Sequence, residues 1–120
     1  MASSDELASF IVSSFPSVWA LELLLLLKEQ ARPCSPEELV DLMRASPSVI
    51  ESALESLVAA GLAGFDDERT AYMPVTPGVA RLVEETERLY RSKPNRVRRL
   101  IVTSAHKGLS AFSDAFRLKD

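Results

Sequence analysis

The segment spanning residues 18–27 constrains the fold of this chain more than any other part of the sequence. Apart from Glu22, every position in it is apolar. On a helix these side chains cover nearly the whole circumference, whereas a surface helix shows one apolar stripe. The segment is about half of the ~20 residues needed to cross a bilayer. We therefore predict a helix over residues 16–30 that is enclosed on several sides, with Trp19 and the leucines in the core, and no membrane span.

The length and composition of the chain fit a single core that encloses this helix. A chain of 120 residues buries enough surface to fold without covalent staples. Its one cysteine and one histidine cannot form an internal disulfide and leave too few soft ligands for a structural zinc site. The first residues are acidic, whereas a secretory signal begins with basic ones. We expect a cytoplasmic protein without a metal or cofactor.

Capping residues predict where the other helices of the N-terminal half begin and end. Ser3 or Ser4 precedes two acidic residues and predicts a short first helix. Residues 35–38 place a serine at the N-cap, a proline at N1 and a glutamate three residues later, which is the pattern of a capping box. Residues 46–47 repeat the Ser-Pro signal. Gly61 stands where a left-handed residue would end the helix that follows.

The second half of the chain predicts a hairpin and further helices. Residues 62–65 and 70–73 flank a polar turn and indicate two short antiparallel strands. Residues 76–77 are a Thr-Pro signal for a helix that ends near residue 92. Beyond a break at residues 92–95, the apolar spacing favours a basic amphipathic helix ending near Gly108, then a short helix with Phe112 and Phe116. A strand over residues 100–103 is the alternative.

The helix predicted after the hairpin carries an apolar seam. Four of its side chains follow or adjoin heptad spacing, at Val79, Leu82, Val83 and Leu89. The apolar surface of this seam and of the helix over residues 16–30 is together larger than one small core can cover, so we expect at least a homodimer. The alternative is that the C-terminal residues fold back over the same surface, with Phe112 and Phe116 as plugs.

The formal net charge of −3 hides an asymmetry between the two halves of the chain. Residues 1–60 carry three basic and nine acidic side chains, whereas residues 61–120 carry eleven and eight. Such a basic excess is either a surface that binds anions or nucleic acid, or a solvated helical face that pairs with the acidic half. It is concentrated in a run without any carboxylate, which contains Arg88, Arg91, Lys93, Arg96, Arg98, Arg99 and Lys107.

The order of these elements resembles the winged helix-turn-helix domains of bacterial regulators, broadly of the MarR type. The resemblance covers about residues 16–92 and rests on residues 35–40, residues 46–50 with Ala53, Leu54 and Leu57, the Gly-Leu pair at 61–62, and Tyr72. It implies a mainly helical fold with a small β-hairpin, to which the helices predicted above add extra N- and C-terminal helices. A winged-helix domain would then span residues 1–92, with the N-terminal and post-wing helices included. Residues 93–120 would form a helical extension packed on it.

In that family the helix corresponding to residues 47–60 enters the major groove of DNA, and the wing touches the DNA backbone or minor groove. Here that helix offers no basic side chain, although DNA affinity depends on Lys and Arg. The turn of the hairpin holds three carboxylates and one arginine. The outward positions of the helix are Ser48, Glu51, Ser52, Glu55 and Ser56.

We therefore predict that these five residues contact a protein partner with a basic surface, such as a component of the transcription machinery or another regulator. The alternative is a DNA-binding transcriptional regulator that uses the basic segment over residues 88–107.

The sequence contains no recognisable catalytic constellation. His106 has no identifiable nucleophile or carboxylate partner, and there is neither a glycine-rich phosphate loop nor a serine elbow. Cys34 precedes a helix, whose dipole can lower the pKa of a thiol. We favour an ordinary thiol over a redox sensor at this position, and we expect that the protein is not an enzyme.

Overall fold

The computed structural model describes residues 2–104 of the chain. This part is mainly helical with one small antiparallel hairpin, as the sequence predicts. Predictions that concern His106, Lys107, Phe112 and Phe116 fall outside the described residues. The elements are α1 (Ser4–Ser14), α2 (Val18–Gln30), α3 (Pro36–Met43), α4 (Pro47–Ala59), β1 (Ala63–Asp66), β2 (Arg69–Tyr72), α5 (Pro77–Ser92) and α6, which is helical over residues 94–104.

A hydroxyl caps the N terminus of each of the helices α1 to α5. Each accepts a hydrogen bond from the backbone N–H three residues later, at 3.1–3.3 Å. These bonds satisfy donors that a helix leaves unpaired at its first turn. Because one of these hydroxyls lies after Pro16, α2 begins at Val18 and not at the proline. The capping residues are Ser3, Ser17, Ser35, Ser46 and Thr76.

The capping box predicted at α3 forms only in part. The Ser35 hydroxyl accepts from the N–H of Glu38, but the Glu38 carboxylate binds the guanidinium of Arg32, with one N–O distance of 3.0 Å. A charged, two-pronged pair of this kind is stronger than a bond to a neutral backbone amide. The hydrogen bond from Arg32 lowers the pKa of Glu38.

The junction between α4 and the hairpin uses the glycine that the sequence singled out. Gly61 has a φ of +76°, and the N–H groups of Gly61 and Leu62 bond to carbonyls in the last turn of α4 at 3.1 and 3.0 Å. This pattern closes a helix with a left-handed residue. The strands then pair from Ala63 opposite Tyr72 to Asp66 opposite Arg69, so the turn is shorter than predicted.

The core is built around α2, which is enclosed on several sides as predicted. Five of its side chains are buried, and α1, α3, α4, α5 and α6 all contribute to the same cluster. The prediction that Trp19 lies in this core is wrong: its side chain is 43% exposed, because it falls just outside the buried arc of the helix. Within residues 2–104, no single helix is long and apolar enough to span a membrane, and α1 and α2 pass that test only as a pair bent by 100°.

The seam predicted on α5 packs within the chain. Val83 is fully buried in the core, and Val79 and Leu89 pack against it. α5 is also joined to α2 by an ion pair of 3.0 Å between Lys28 and Glu87. Leu82 remains partly exposed. The prediction that this seam binds a second copy is therefore wrong for Val83, whose side chain is buried in the core of its own chain. Heptad spacing identifies an apolar stripe, but it does not show whether the partner of that stripe lies in the same chain.

α6 contributes to the same core as the α5 seam. Val97 and Ile101 are buried in the core, and Leu100 packs against it. The alternative of a strand over residues 100–103 is wrong, since these residues are helical.

Candidate functional site

The most distinctive surface in the described residues is a groove of about 650 Å³ between α3 and α4. Apolar side chains from both helices and from β1 line it, and four carboxylates line it as well, whereas no basic side chain does. We call it the acidic groove. The apolar side chains are Pro36, Val40, Pro47, Leu54 and Phe65, and the carboxylates are Glu37, Asp41, Glu51 and Glu55.

The four carboxylates occur as two pairs at helical spacing. Glu37 and Asp41 lie four residues apart on α3, and all four carboxylates are exposed. Glu51 and Glu55 have the same spacing on α4. Like charges at this spacing destabilise a helix by roughly 0.2–0.5 kcal/mol per pair. None of the four forms an ion pair with any residue between 2 and 104, so no described cation offsets this repulsion.

Phe65 gives the acidic groove an aromatic wall. Its side chain is 61% exposed, because the hairpin carries it beyond the core. An exposed aromatic side chain next to other apolar side chains indicates a binding surface more strongly than an isolated exposed leucine does. Aromatic side chains dominate the energetics of protein interfaces. Charge and apolar area therefore meet on one surface.

The structure divides the five predicted partner-binding residues between two sides of α4. Glu51 and Glu55 face the acidic groove. The three serines line a shallower groove with the exposed Trp19 of α2. Two of these hydroxyls are satisfied locally, since Ser56 donates to the carbonyl of Ser52 at 3.1 Å and Ser48 lies 3.2 Å from the hydroxyl of Ser46. The carboxylate side is the chemically distinctive one.

Comparison with known proteins identifies no family for this chain. The chain matches no family model, no curated protein and no solved structure. Within residues 2–104, no three His, Cys, Asp or Glu side chains converge to form a metal site.

Two arginines of the basic segment have carboxylate partners within the chain. Arg91 pairs with Glu87 one turn earlier on α5, at 3.1 Å. Arg98 lies 4.0 Å from Glu22 and 5.4 Å from the ring centre of Tyr90, whose hydroxyl donates to the same carboxylate at 2.9 Å. Arg98 therefore pairs with the acidic half of the chain, as one of the two alternatives predicts.

Four other basic side chains of this segment lie in the described residues and are exposed. Arg88, Lys93, Arg96 and Arg99 form no ion pair within residues 2–104. Arg96 and Arg99 line an open groove of about 460 Å³ with Val12 of α1 and with other residues of α6. The described part of the predicted segment is thus divided into two paired arginines and four side chains without an ion pair, of which Arg96 and Arg99 lie on α6.

Cys34 is fully buried and anchors the hairpin. Its backbone N–H and C=O bond to those of Thr70 at 2.8 and 2.9 Å, and its thiol donates to the carbonyl of Arg32 at 3.5 Å. Burial raises the pKa of the thiol, with only partial opposition from the Arg32 charge. These features favour the ordinary thiol over the redox sensor.

We expect native Cys34 to react with iodoacetamide at neutral pH at least ~100-fold more slowly than in the urea-unfolded chain, because a buried thiol with a raised pKa reacts only after opening. Mass spectrometry over time measures this rate, and Cys34 is the one cysteine of the chain. A Cys34→Ser chain carrying Ser9→Cys at an exposed position is the control and should react quickly when folded. Equal rates for the two native proteins would contradict the prediction.

Proposed function

We propose that this chain is a non-catalytic winged-helix regulatory protein, related to transcription, that acts through protein contacts. Its acidic groove receives a basic amphipathic segment of the partner. One observation carries this proposal: an exposed Phe65 and an apolar floor lie beside four carboxylates that have no ion-pair partner in the described residues.

The winged-helix part of the proposal is supported by the order of the elements. A tight turn of three residues joins α3 to α4, and the hairpin and the long helix α5 follow directly. This is the order that the resemblance to bacterial regulators implies. The position that would read DNA, α4, here presents Glu51 and Glu55. Carboxylates are repelled by phosphates and lose hydration on burial, so α4 suits a basic protein segment better than a DNA groove.

DNA binding through α6 is the second candidate function. It is favoured by Arg96 and Arg99, which are exposed and unpaired within residues 2–104. Such binding would use a surface different from the acidic groove.

A synthetic peptide tests the proposed groove directly. The probe is a fluorescein-labelled helix with leucine on one face and lysine on the other, and its counterpart carries glutamate in place of lysine. We expect the lysine peptide alone to bind, with an affinity that falls as salt is added. Glu51→Lys with Glu55→Lys should weaken binding at least ~10-fold, which corresponds to about 1.4 kcal/mol. Fluorescence anisotropy measures both effects.

Matched variants locate the effect. Glu29→Lys with Glu84→Lys makes the same change in net charge at exposed carboxylates outside the groove and should leave binding intact. Phe65→Ala should weaken binding without unfolding the protein. If both charge variants weaken binding alike, or the glutamate peptide binds equally well, the proposal is wrong. If the wild type instead binds random duplex DNA and loses it on Arg96→Ala with Arg99→Ala, the second candidate is supported.

A further inference from the structure

We infer that the basic segment received by the acidic groove belongs to a second copy of this chain and is the outer face of α6. This inference rests on the proposed function and names the partner. We call the surface made by Arg96, Arg99 and Val102 of α6, with Val12 of α1, the basic face.

The basic face has the chemistry that the acidic groove lacks. On α6, Val97 and Ile101 point into the core, so the opposite side of the helix is exposed. Arg96 and Arg99 lie three residues apart and are neighbours on that side. Val102, 60% exposed, follows Arg99 at the same spacing. The exposed side of α6 is therefore a ridge with two cationic side chains followed by an apolar one.

The two surfaces are separate in the chain. The groove beside Arg96 and Arg99 is lined by residues of α1 and α6, whereas the acidic groove is lined by residues of α3, α4 and β1. No residue lines both, and no ion pair within residues 2–104 joins them. Contact between two copies would give both sets of charges a partner of opposite sign.

A second copy fits the basic face better than DNA does. Val12 lines the groove beside the arginines, and Val102 is exposed three residues after Arg99. A phosphate makes no favourable apolar contact with an exposed valine, whereas Val40, Leu54 and Phe65 of the acidic groove can pack against it. Because each copy presents a different surface to its neighbour, the contact is heterologous and can continue from copy to copy.

Two variants that each destroy one surface test the inference on the full chain. Glu51→Lys with Glu55→Lys removes the groove and keeps the basic face. Arg96→Ala with Arg99→Ala does the reverse. We expect wild type at low salt to exceed the 13.2 kDa chain mass in light scattering and to dissociate at high salt. Each variant alone should self-associate at least tenfold more weakly.

The mixture of the two variants gives the decisive measurement. Each variant retains the surface that the other has lost, so an equimolar mixture should form a complex of two chains that cannot grow further. Arg88→Ala with Lys93→Ala removes two other exposed cations and should self-associate like wild type. Circular dichroism confirms that each variant is folded.

A wild type that stays monomeric at low salt overturns the inference, as does a mixture that forms no complex. If the lysine peptide still binds the groove in either case, the proposed function stands and only the identity of the partner is wrong. If the peptide fails to bind as well, both proposals fall. Duplex DNA binding that is lost on Arg96→Ala with Arg99→Ala, without any self-association, would assign the basic face to DNA.

Discussion

Replacement of Ile101 by aspartate is expected to unfold the protein, whereas the same substitution at Val102 leaves it folded. Ile101 is 1% exposed within the core cluster, so the new carboxylate would be buried among apolar side chains. An unpaired buried charge costs several kcal/mol, which is comparable with the ~5–15 kcal/mol that stabilises a typical domain. At an exposed position such as Val102, substitutions usually change stability by less than ~0.5 kcal/mol.

Circular dichroism and urea unfolding in high salt measure both variants, since salt keeps self-association from contributing. Equal stability of the two variants would show that α6 is not part of the core. The adjacent positions make a sensitive pair, because a rotation of α6 by one residue would bring Val102 into the buried place of Ile101.

Leu24→Ala is expected to lower the free energy of unfolding by about 2–5 kcal/mol, because it removes a fully buried side chain and leaves a cavity. Leu42→Ala is the matched control. Leu42 lies on α3 and is 49% exposed, so the same deletion should cost less than ~1 kcal/mol. Urea midpoints with an unchanged slope give the two values. Similar losses at both positions would contradict the central place of α2 in the core.

The boundaries of the helices were predictable because their signals are local. A serine or threonine that caps a first turn, a proline at N1 and a glycine with positive φ act within a few residues of chain. Ser35, Ser46, Thr76 and Gly61 accordingly mark element ends in the structure.

The contents of the core were predictable only in part. The apolar run of α2 indicates burial on several sides, but it does not say which short arc stays open. Trp19 occupies that arc, and its exposure depends on how α2 packs beside α4. Likewise, the spacing of Val83 on α5 gives an apolar stripe without naming the element that covers it.

Two of the four carboxylates of the acidic groove could be predicted from the sequence. The sequence predicts Glu51 and Glu55, because removing the core positions of α4 leaves them on its outward side. Glu37 and Asp41 have the same spacing on α3, and this signal could have identified them as a second acidic pair. The groove itself could not be predicted, since it exists only where α3 packs beside α4. Phe65 was assigned to a strand, but its exposure depends on how far the hairpin projects.

The anchoring of the hairpin at Cys34 has a consequence for the kinetics and entropy of binding. β2 is held by β1 on one edge and by two hydrogen bonds to Cys34 on the other. A two-stranded hairpin on its own is only marginally stable in water, but this one is tied to the segment between α2 and α3. The aromatic wall at Phe65 is thus in place before any partner arrives. A ligand that enters the groove avoids the ordering cost that a loose loop would impose, so association should proceed without a slow conformational step.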